Sequence, residues 1–254
     1  MAEKLVCDHK GCDVTDLLID IGNTRLKWRA QQQGALVGAG TMATGDITLA
    51  TLDAQLPAQV SQLAWASVAA PECGTFIEAW ASARNLQAYK AESQAQWQDL
   101  TNGYEQPQQM GVDRWLAMVA AREQFKAPLC VADCGSAITV DYIDASGQHE
   151  GSYIIPGQRL MVQALLRDTA KIQFSGVAVD AAVPGKNTAH AVLAGCGQMA
   201  SYGLCGLLLE AQQAGYVIML TGGDGKAPAQ ALSVTYNGDL VLDGLALVAG
   251  LIKV

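Results

Sequence analysis

With 254 residues, half of them hydrophobic and 16% charged, the chain has ample material for a packed core and does not have the composition of a disordered protein. A net charge of −8 argues against nucleic acid or an anionic membrane as the main partner, although an anionic small substrate remains open if a metal and local cations neutralise it. Seven scattered cysteines (7, 12, 73, 130, 134, 196 and 205), several in apolar segments, point to reduced, buried thiols in a cytoplasmic protein rather than to a disulfide framework.

In chain order, residues 1–15 are a polar lead-in without periodicity, expected to be flexible. Cys7, His9 and Cys12 lack a fourth ligand at zinc-finger spacing, and no apolar segment of signal-peptide type is present there. An apolar run at 17–19 ends in Asp20, followed by Gly22-Asn23-Thr24 and the alternating Leu26-Lys27-Trp28, which predicts a hairpin with a polar tip. Gly22 lets backbone amides approach a bound group, Asn23, Thr24 and Lys27 offer donors to phosphate oxygens, and Asp20 at the strand end can face a metal or its water shell. A third strand is expected over 35–42, a helix over 47–56, strands over 62–68 and 86–89, and a helix over 72–84 between them. The Gln-rich stretch 91–109, with Asn102-Gly103-Tyr104 inside it, reads as a long loop of the kind kept for function. Gly111-Val112-Asp113-Arg114-Trp115 then opens an apolar helix running to residue 125 that joins two halves, 16–115 and 116–254.

The second half begins again with strands at 129–133, 137–143 and 150–154, then a helix from Pro156-Gly157 to 169. A loop at 177–187, a long helix over 188–214, a buried strand at 216–220, a further strand at 232–236 and a closing helix over 240–253 complete it. The apolar tail at 240–252 is interrupted by Asp243 and is too short to span a bilayer, so no membrane association is expected. Val131-Ala132-Asp133-Cys134-Gly135-Ser136 echoes the first hairpin: apolar strand, acid, glycine turn, small polar residue. Together these repeats predict an α/β protein with an internally duplicated fold. No Walker-A lysine motif and no Gly-x-Gly-x-x-Gly occurs, which disfavours P-loop and Rossmann readings.

Three Gly-rich turns after apolar strands, at 20–24, 133–136 and 221–224, follow the order seen in actin-like ATPases and sugar kinases. More specifically, DIGNTRLKW at 20–28, NGY at 102–104, GVDRW at 111–115, DCGSAITVD at 133–141, GSYIIPG at 151–157, the Thr188 region and LTGGD at 220–224 resemble the type III pantothenate kinases over nearly the whole chain from Leu17. The resemblance implies a duplicated actin-like (ribonuclease H-like) ATPase fold with a cleft between its halves, and ATP-dependent phosphorylation of pantothenate to 4′-phosphopantothenate, the first step toward coenzyme A. It implies Asp113 as catalytic base, and Tyr104, Gly111, Val112, Asp113, Arg114 and Thr188 as the pantothenate site. ATP would be held by Asp20, Ile21, Gly22, Asn23, Thr24, Arg25, Leu26 and Lys27, with Ser136 contacting the nucleotide. Asp133 would bind K⁺ or NH₄⁺, and Asp20 would act with Mg²⁺.

The sequence departs from the family pattern at Ser136, where Thr is common, at Ser152, where a second glycine is usual, and in its longer lead-in. The resemblance also implies a homodimer, and the helix after Asp113 carries apolar residues on several faces (Trp115, Leu116, Met118, Val119, Phe125), as a helix with a second packing partner would. Two other readings stand beside this one. A small sugar or polyol kinase of the same fold suits Arg114 and Tyr104 less well than a substrate with a carboxylate does, and a non-catalytic nucleotide-binding regulator predicts a lost base where Asp113 is present.

Overall fold

The computed structural model describes residues 14–175 and 183–252, so Cys7, His9, Cys12 and most of the lead-in expected to be flexible lie outside it, as does part of the loop expected at 177–187. The chain divides into two compact units, one of residues up to Gln124 with those from Asp239 on, the other of residues Phe125–Gly238.

In the first unit, β1 (Thr15–Ile21), β2 (Arg25–Gln32) and β3 (Ala35–Ala43) form the expected meander, followed by α1 (Leu49–Gln55), β4 (Gln62–Ser67), α2 (Pro71–Ser82) and β5 (Ala88–Lys90). The sheet order is β3-β2-β1-β4-β5, with β4 and β5 parallel to β1. The continuous apolar run in β1 reflects burial on both faces: Leu17, Ile19 and Ile21 join Leu52 of α1 and Ile77 and Trp80 of α2 in one core, while Leu18 is fully buried on the opposite face. Local chemistry sets the helix starts, a reciprocal Thr48–Thr51 capping box for α1 and Pro71 in the first turn of α2.

The stretch expected as loop, 91–109, contains a small hairpin, β6 (Gln96–Trp97) and β7 (Leu100–Thr101). A buried Arg122 donates to Asp99 at 2.9 Å and Leu100 is fully buried, so this stretch is anchored to α3 (Val112–Gln124).

The second unit repeats the plan: β8 (Leu129–Cys134), β9 (Ala137–Ile143), β10 (His149–Pro156), α4 (Gln158–Asp168), α5 (Thr188–Gln213), β11 (Val217–Thr221), α6 (Lys226–Leu232) and β12 (Thr235–Tyr236). Its sheet order, β10-β9-β8-β11-β12, has the same connectivity and the same antiparallel and parallel pairs as the first. The duplication expected from two acid-glycine turns is therefore present strand for strand. One helix was not foreseen: α6 occupies 226–232, so the expected strand at 232–236 shrinks to its last residues.

The chain then returns to the first unit as α7 (Leu240–Ala249). The expected boundary at 115/116 falls inside α3, and the closing helix does not belong to the second half. The physical reason is that α3 is buried at Val112 and from Arg114 through Arg122 and needs cover on more than one side, which β4 and α7 of its own unit supply. A Cβ at Gly244 would collide with the backbone carbonyl of Leu116, so the two helices cross at backbone contact. The apolar faces of α3 are thus accounted for within one unit and do not call for a second chain.

Among the described residues, α5 is long and apolar enough to cross a bilayer by length and composition. One face of it (Ala200, Leu204, Leu208, Ala211) forms the core of the second unit with Cys130, Ala132 and Val140, as a core helix does.

Candidate active site

In the first unit the hairpin tip lies between β1 and β2, where the Gly22 amide donates to the Arg25 carbonyl at 3.0 Å. Thr44, after β3, ties the tip down from the side: its hydroxyl donates to the Gly22 carbonyl at 2.7 Å and its amide to the Thr24 carbonyl at 3.0 Å. Asp20 sits directly opposite Lys27 in the β1–β2 register, so both side chains emerge on one face of the sheet. Ile21 and Leu26 are fully buried, and of the expected phosphate-holding residues these two can contribute only backbone. Lys27 is held by a carboxylate: its Nζ is 2.5 Å from Asp239 at the start of α7, and Arg29 pairs with Asp243 one turn further on at 2.6 Å. Nothing in the sequence announced Asp239 or Thr44, because both meet the hairpin from distant segments.

Asp113 and Arg114 stand in the first turn of α3. The Arg114 amide donates to Asp113 Oδ1 at 2.8 Å. The Arg114 side chain is 5% exposed, donates from Nη1 to the Tyr104 hydroxyl at 2.7 Å, and carries its guanidinium carbon 5.3 Å from the Tyr104 ring centre. Tyr104 is presented by a turn that buried Asn102 builds: Asn102 Oδ1 accepts from the Tyr104 amide at 3.0 Å, and its Nδ2 donates to the Gln94 carbonyl at 3.1 Å. This is an Asx-type turn, which explains the Asn-Gly pair in the motif. Gly111, just before α3, faces Val68, whose amide donates to the Ile21 carbonyl at 3.0 Å. The end of β1 and the start of α3 are therefore neighbours in one unit. Val112 is buried and serves packing.

In the second unit, Asp133, Ser136 and Thr188 are found. The turn after β8 is one residue tighter than the first hairpin tip, with the Gly135 amide donating to the Ala137 carbonyl at 3.0 Å. The parallel pairing of β8 and β11 sets Asp133 opposite Thr221, and the Asp224 amide donates to the Cys134 carbonyl at 3.0 Å, so the second and third Gly-rich turns meet. Gly222 has φ +84°, and a Cβ there would strike Asp133 Oδ1 and the Cys134 backbone. The Asp133 carboxylate beside these turn carbonyls is a set of hard oxygen donors, the kind that binds hard cations. Among the described residues no group of three or more His, Cys, Asp or Glu is placed to hold a metal ion. Thr188 is exposed at the first position of α5, next to Asn187, whose side chain caps the helix by accepting from the His190 amide at 2.9 Å.

Cys134, within the turn, has its thiol pushed up to about 12, chiefly by burial and further by the carboxylates of Asp133 and Asp224. Among the described residues the cysteines at 73, 130, 134, 196 and 205 are all free thiols.

The sequence profile of the type III pantothenate kinases matches residues 16–208. A type III pantothenate kinase of Halorhodospira halophila is 38% identical over 249 residues, covering 90% of this chain and 95% of its own length. That of Azoarcus sp. is 36% identical over 247 residues, covering 92% and 90%. Among solved structures, a conserved putative Baf family transcriptional activator from Campylobacter jejuni superposes with a TM-score of 0.58 at 21% identity over 92% of this chain and 97% of that one. A putative 2-dehydro-3-deoxygalactonokinase from Sinorhizobium meliloti gives a TM-score of 0.50 at 13% identity over 92% and 97%. These two likenesses are of fold, that of the actin-like ATPase and sugar kinase group.

Proposed function

Because the chain belongs to the type III pantothenate kinase family, and so phosphorylates pantothenate for coenzyme A synthesis, we propose that it moves the γ-phosphoryl group of ATP to the primary hydroxyl of pantothenate with Asp113 as the base. The observation that carries the residue assignment is the first turn of α3. A carboxylate and a buried guanidinium stand on adjacent residues there, the guanidinium fixed by Tyr104. A buried arginine with one edge held by a phenol is a receptor for a substrate carboxylate, and its planar fork discriminates acids from neutral polyols. With the acid end of pantothenate on Arg114 and Tyr104, the hydroxyl oxygen forms the new bond to phosphorus, its proton passes to the Asp113 carboxylate, and ADP leaves with the electron pair of the broken P–O bond. In the first unit Asn23, Thr24 and the hairpin amides are the proposed phosphate ligands, with Asp20 acting through Mg²⁺; in the second, Ser136 is the proposed nucleotide contact and Thr188 the proposed pantothenate contact.

Mg²⁺ at Asp20 and K⁺ or NH₄⁺ at Asp133 would supply neutralisation of the phosphate charge, the principal electrostatic need of phosphoryl transfer. The reduced thiols are consistent with a cytoplasmic enzyme. A homodimer is also part of this reading, supported by the face of α5 that looks away from its core. Met199 and Tyr202 there are 67% and 72% exposed, and a Cβ at Gly195 or Gly206 would meet nothing within 4 Å.

A coupled ADP-release assay tests the proposal, with pantothenate set against a panel of sugars and polyols and with K⁺ or Na⁺ as the sole monovalent cation. Turnover confined to pantothenate and dependent on K⁺ is expected. Preference for a polyol would remove the carboxylate receptor from the scheme, and full activity in Na⁺ would remove the cation at Asp133.

A further inference from the structure

The second unit contains a cation at its phosphate turn that no motif marked: Arg159, in the first turn of α4. The Gly157 amide donates to the Ser136 carbonyl at 3.0 Å, which docks the start of α4 on the Gly135–Ser136 turn. From that anchor Arg159 reaches back, donating from Nη2 to Ser136 Oγ at 2.9 Å and from Nη1 to Gln163 Oε1 at 3.1 Å. Two different nitrogens are thus gripped by groups on two different segments, so the guanidinium plane has a defined orientation while the residue stays exposed to a ligand. The Ser136 hydroxyl accepts from Arg159, and a hydroxyl has a single proton to donate. The acceptor role turns that proton away from the guanidinium. Asp133, the next-to-last residue of β8, stands beside the same turn, so its charge enters the phosphate site together with those of Arg159 and of the monovalent cation proposed there.

We propose that Arg159 is a nucleotide-phosphate ligand of this enzyme, acting as a pair with Ser136 on the polyphosphate of ATP. The inference rests on the ATP-dependent reading above and adds to it a residue outside the family motifs. Arg159 then does two things: it contributes charge to the phosphate site, and it fixes the Ser136 side chain beside it.

Calorimetric titration of the full chain with ATP, ADP and adenosine, without pantothenate, tests the pair. Arg159→Gln keeps a donor of similar reach without the charge, and should weaken ATP and ADP by roughly 10- to 100-fold, the range of one charge-assisted hydrogen bond. Adenosine affinity should stay within about twofold of wild type, and Arg159→Lys should recover a large part of the loss. The logarithmic salt dependence of ATP binding should also become shallower in Arg159→Gln, because one cation contact is gone. In the Ser136→Ala and Arg159→Gln cycle, the double variant should lose less than the two single losses added together.

Unchanged ATP affinity in Arg159→Gln would overturn the assignment, as would equal weakening of ATP and adenosine, which would make Arg159 a structural clamp. Wild-type protein that binds ATP tightly but does not turn over pantothenate would instead count against the kinase reading and leave the Arg159 result intact.

Discussion

At the scale of single residues, the proposed chemistry concentrates in the first turn of α3, where Asp113 and Arg114, the proposed proton acceptor and carboxylate receptor, are consecutive. Asp113→Asn keeps the size of the side chain and cannot accept the hydroxyl proton. Turnover should therefore fall by roughly 10²- to 10⁴-fold with nucleotide affinity nearly unchanged, measured by steady-state kinetics alongside calorimetry. Arg114 carries a second expectation. Its buried guanidinium is worth most to a partner with a full negative charge, so Arg114→Ala should raise KM for pantothenate well above the rise for pantothenol, its alcohol analogue. Equal rises would make the arginine a packing element of the Tyr104 turn.

Cys134 offers a test of the second-unit turn. Its folded thiol is pushed up to about 12 from an ordinary 9.0, so the neutral form is favoured by folding. That contribution is complete below the ordinary thiol value and is lost as pH rises through 9 toward 12. Thermal melts should show stability falling over that window, and Cys134→Ala should flatten the fall. Cys130 and Tyr142, also raised to about 12, keep part of the slope in the variant. Identical pH profiles for the two proteins would contradict the burial account of this thiol.

Secondary elements hold these residues in place through a few close contacts. The capping network of Asn102 makes the Gln-rich stretch a shaped platform for Tyr104, and the Arg122–Asp99 pair pins its small hairpin to α3. The crossing of α3 and α7 is a contact on which the position of α3 depends, and Gly244 meets the Leu116 backbone there. Substituting alanine in a helix interior ordinarily stabilises by up to about 1 kcal/mol through propensity. Here the added methyl meets the Leu116 carbonyl, and overpacking of that kind costs roughly 1–3 kcal/mol. Gly244→Ala should therefore lower Tm, with a loss of activity as α3 shifts. A raised Tm would mean that the two helices separate without cost. The same element carries Asp239, which engages Lys27, and so links the chain's closing helix to the first phosphate turn.

For the whole molecule, each copy of the duplicated architecture carries some of the proposed ligands: Asp20, Asp113 and Arg114 belong to the first unit, and Asp133, Ser136, Arg159 and Thr188 to the second. Assembly is the remaining question at this scale. The apolar faces of α3 are covered by its own unit, so the argument for a second chain moves to α5. There Met199, Tyr202 and Leu209 recur on the face opposite the core residues Ala200, Leu204 and Leu208. Light scattering should find a dimer, and Tyr202→Glu should shift the mass toward that of a single chain. Wild-type protein that scatters as a single chain at full activity would end the dimer reading.

Much of this protein was legible in its sequence, for a definable reason. Strand runs such as 17–19 and 129–133, the acid-glycine turns that end them and the Asn-Gly-Tyr turn are local features, set by side-chain alternation, glycine geometry and short-range capping. Those rules operate within a few residues, so the duplicated α/β plan could be read off the chain, while the candidate site residues came from the resemblance of their motifs to those of a known kinase family. What remained hidden depends on contacts between residues far apart in sequence. Asp239 meets Lys27, Gly244 lets α7 lie on α3, Arg159 reaches Ser136, and Thr44 braces the first hairpin. An apolar helix such as α3 records that it is buried but not by which element, because the hydrophobic effect has no direction. Only tertiary packing decided that its cover is the chain's own last helix.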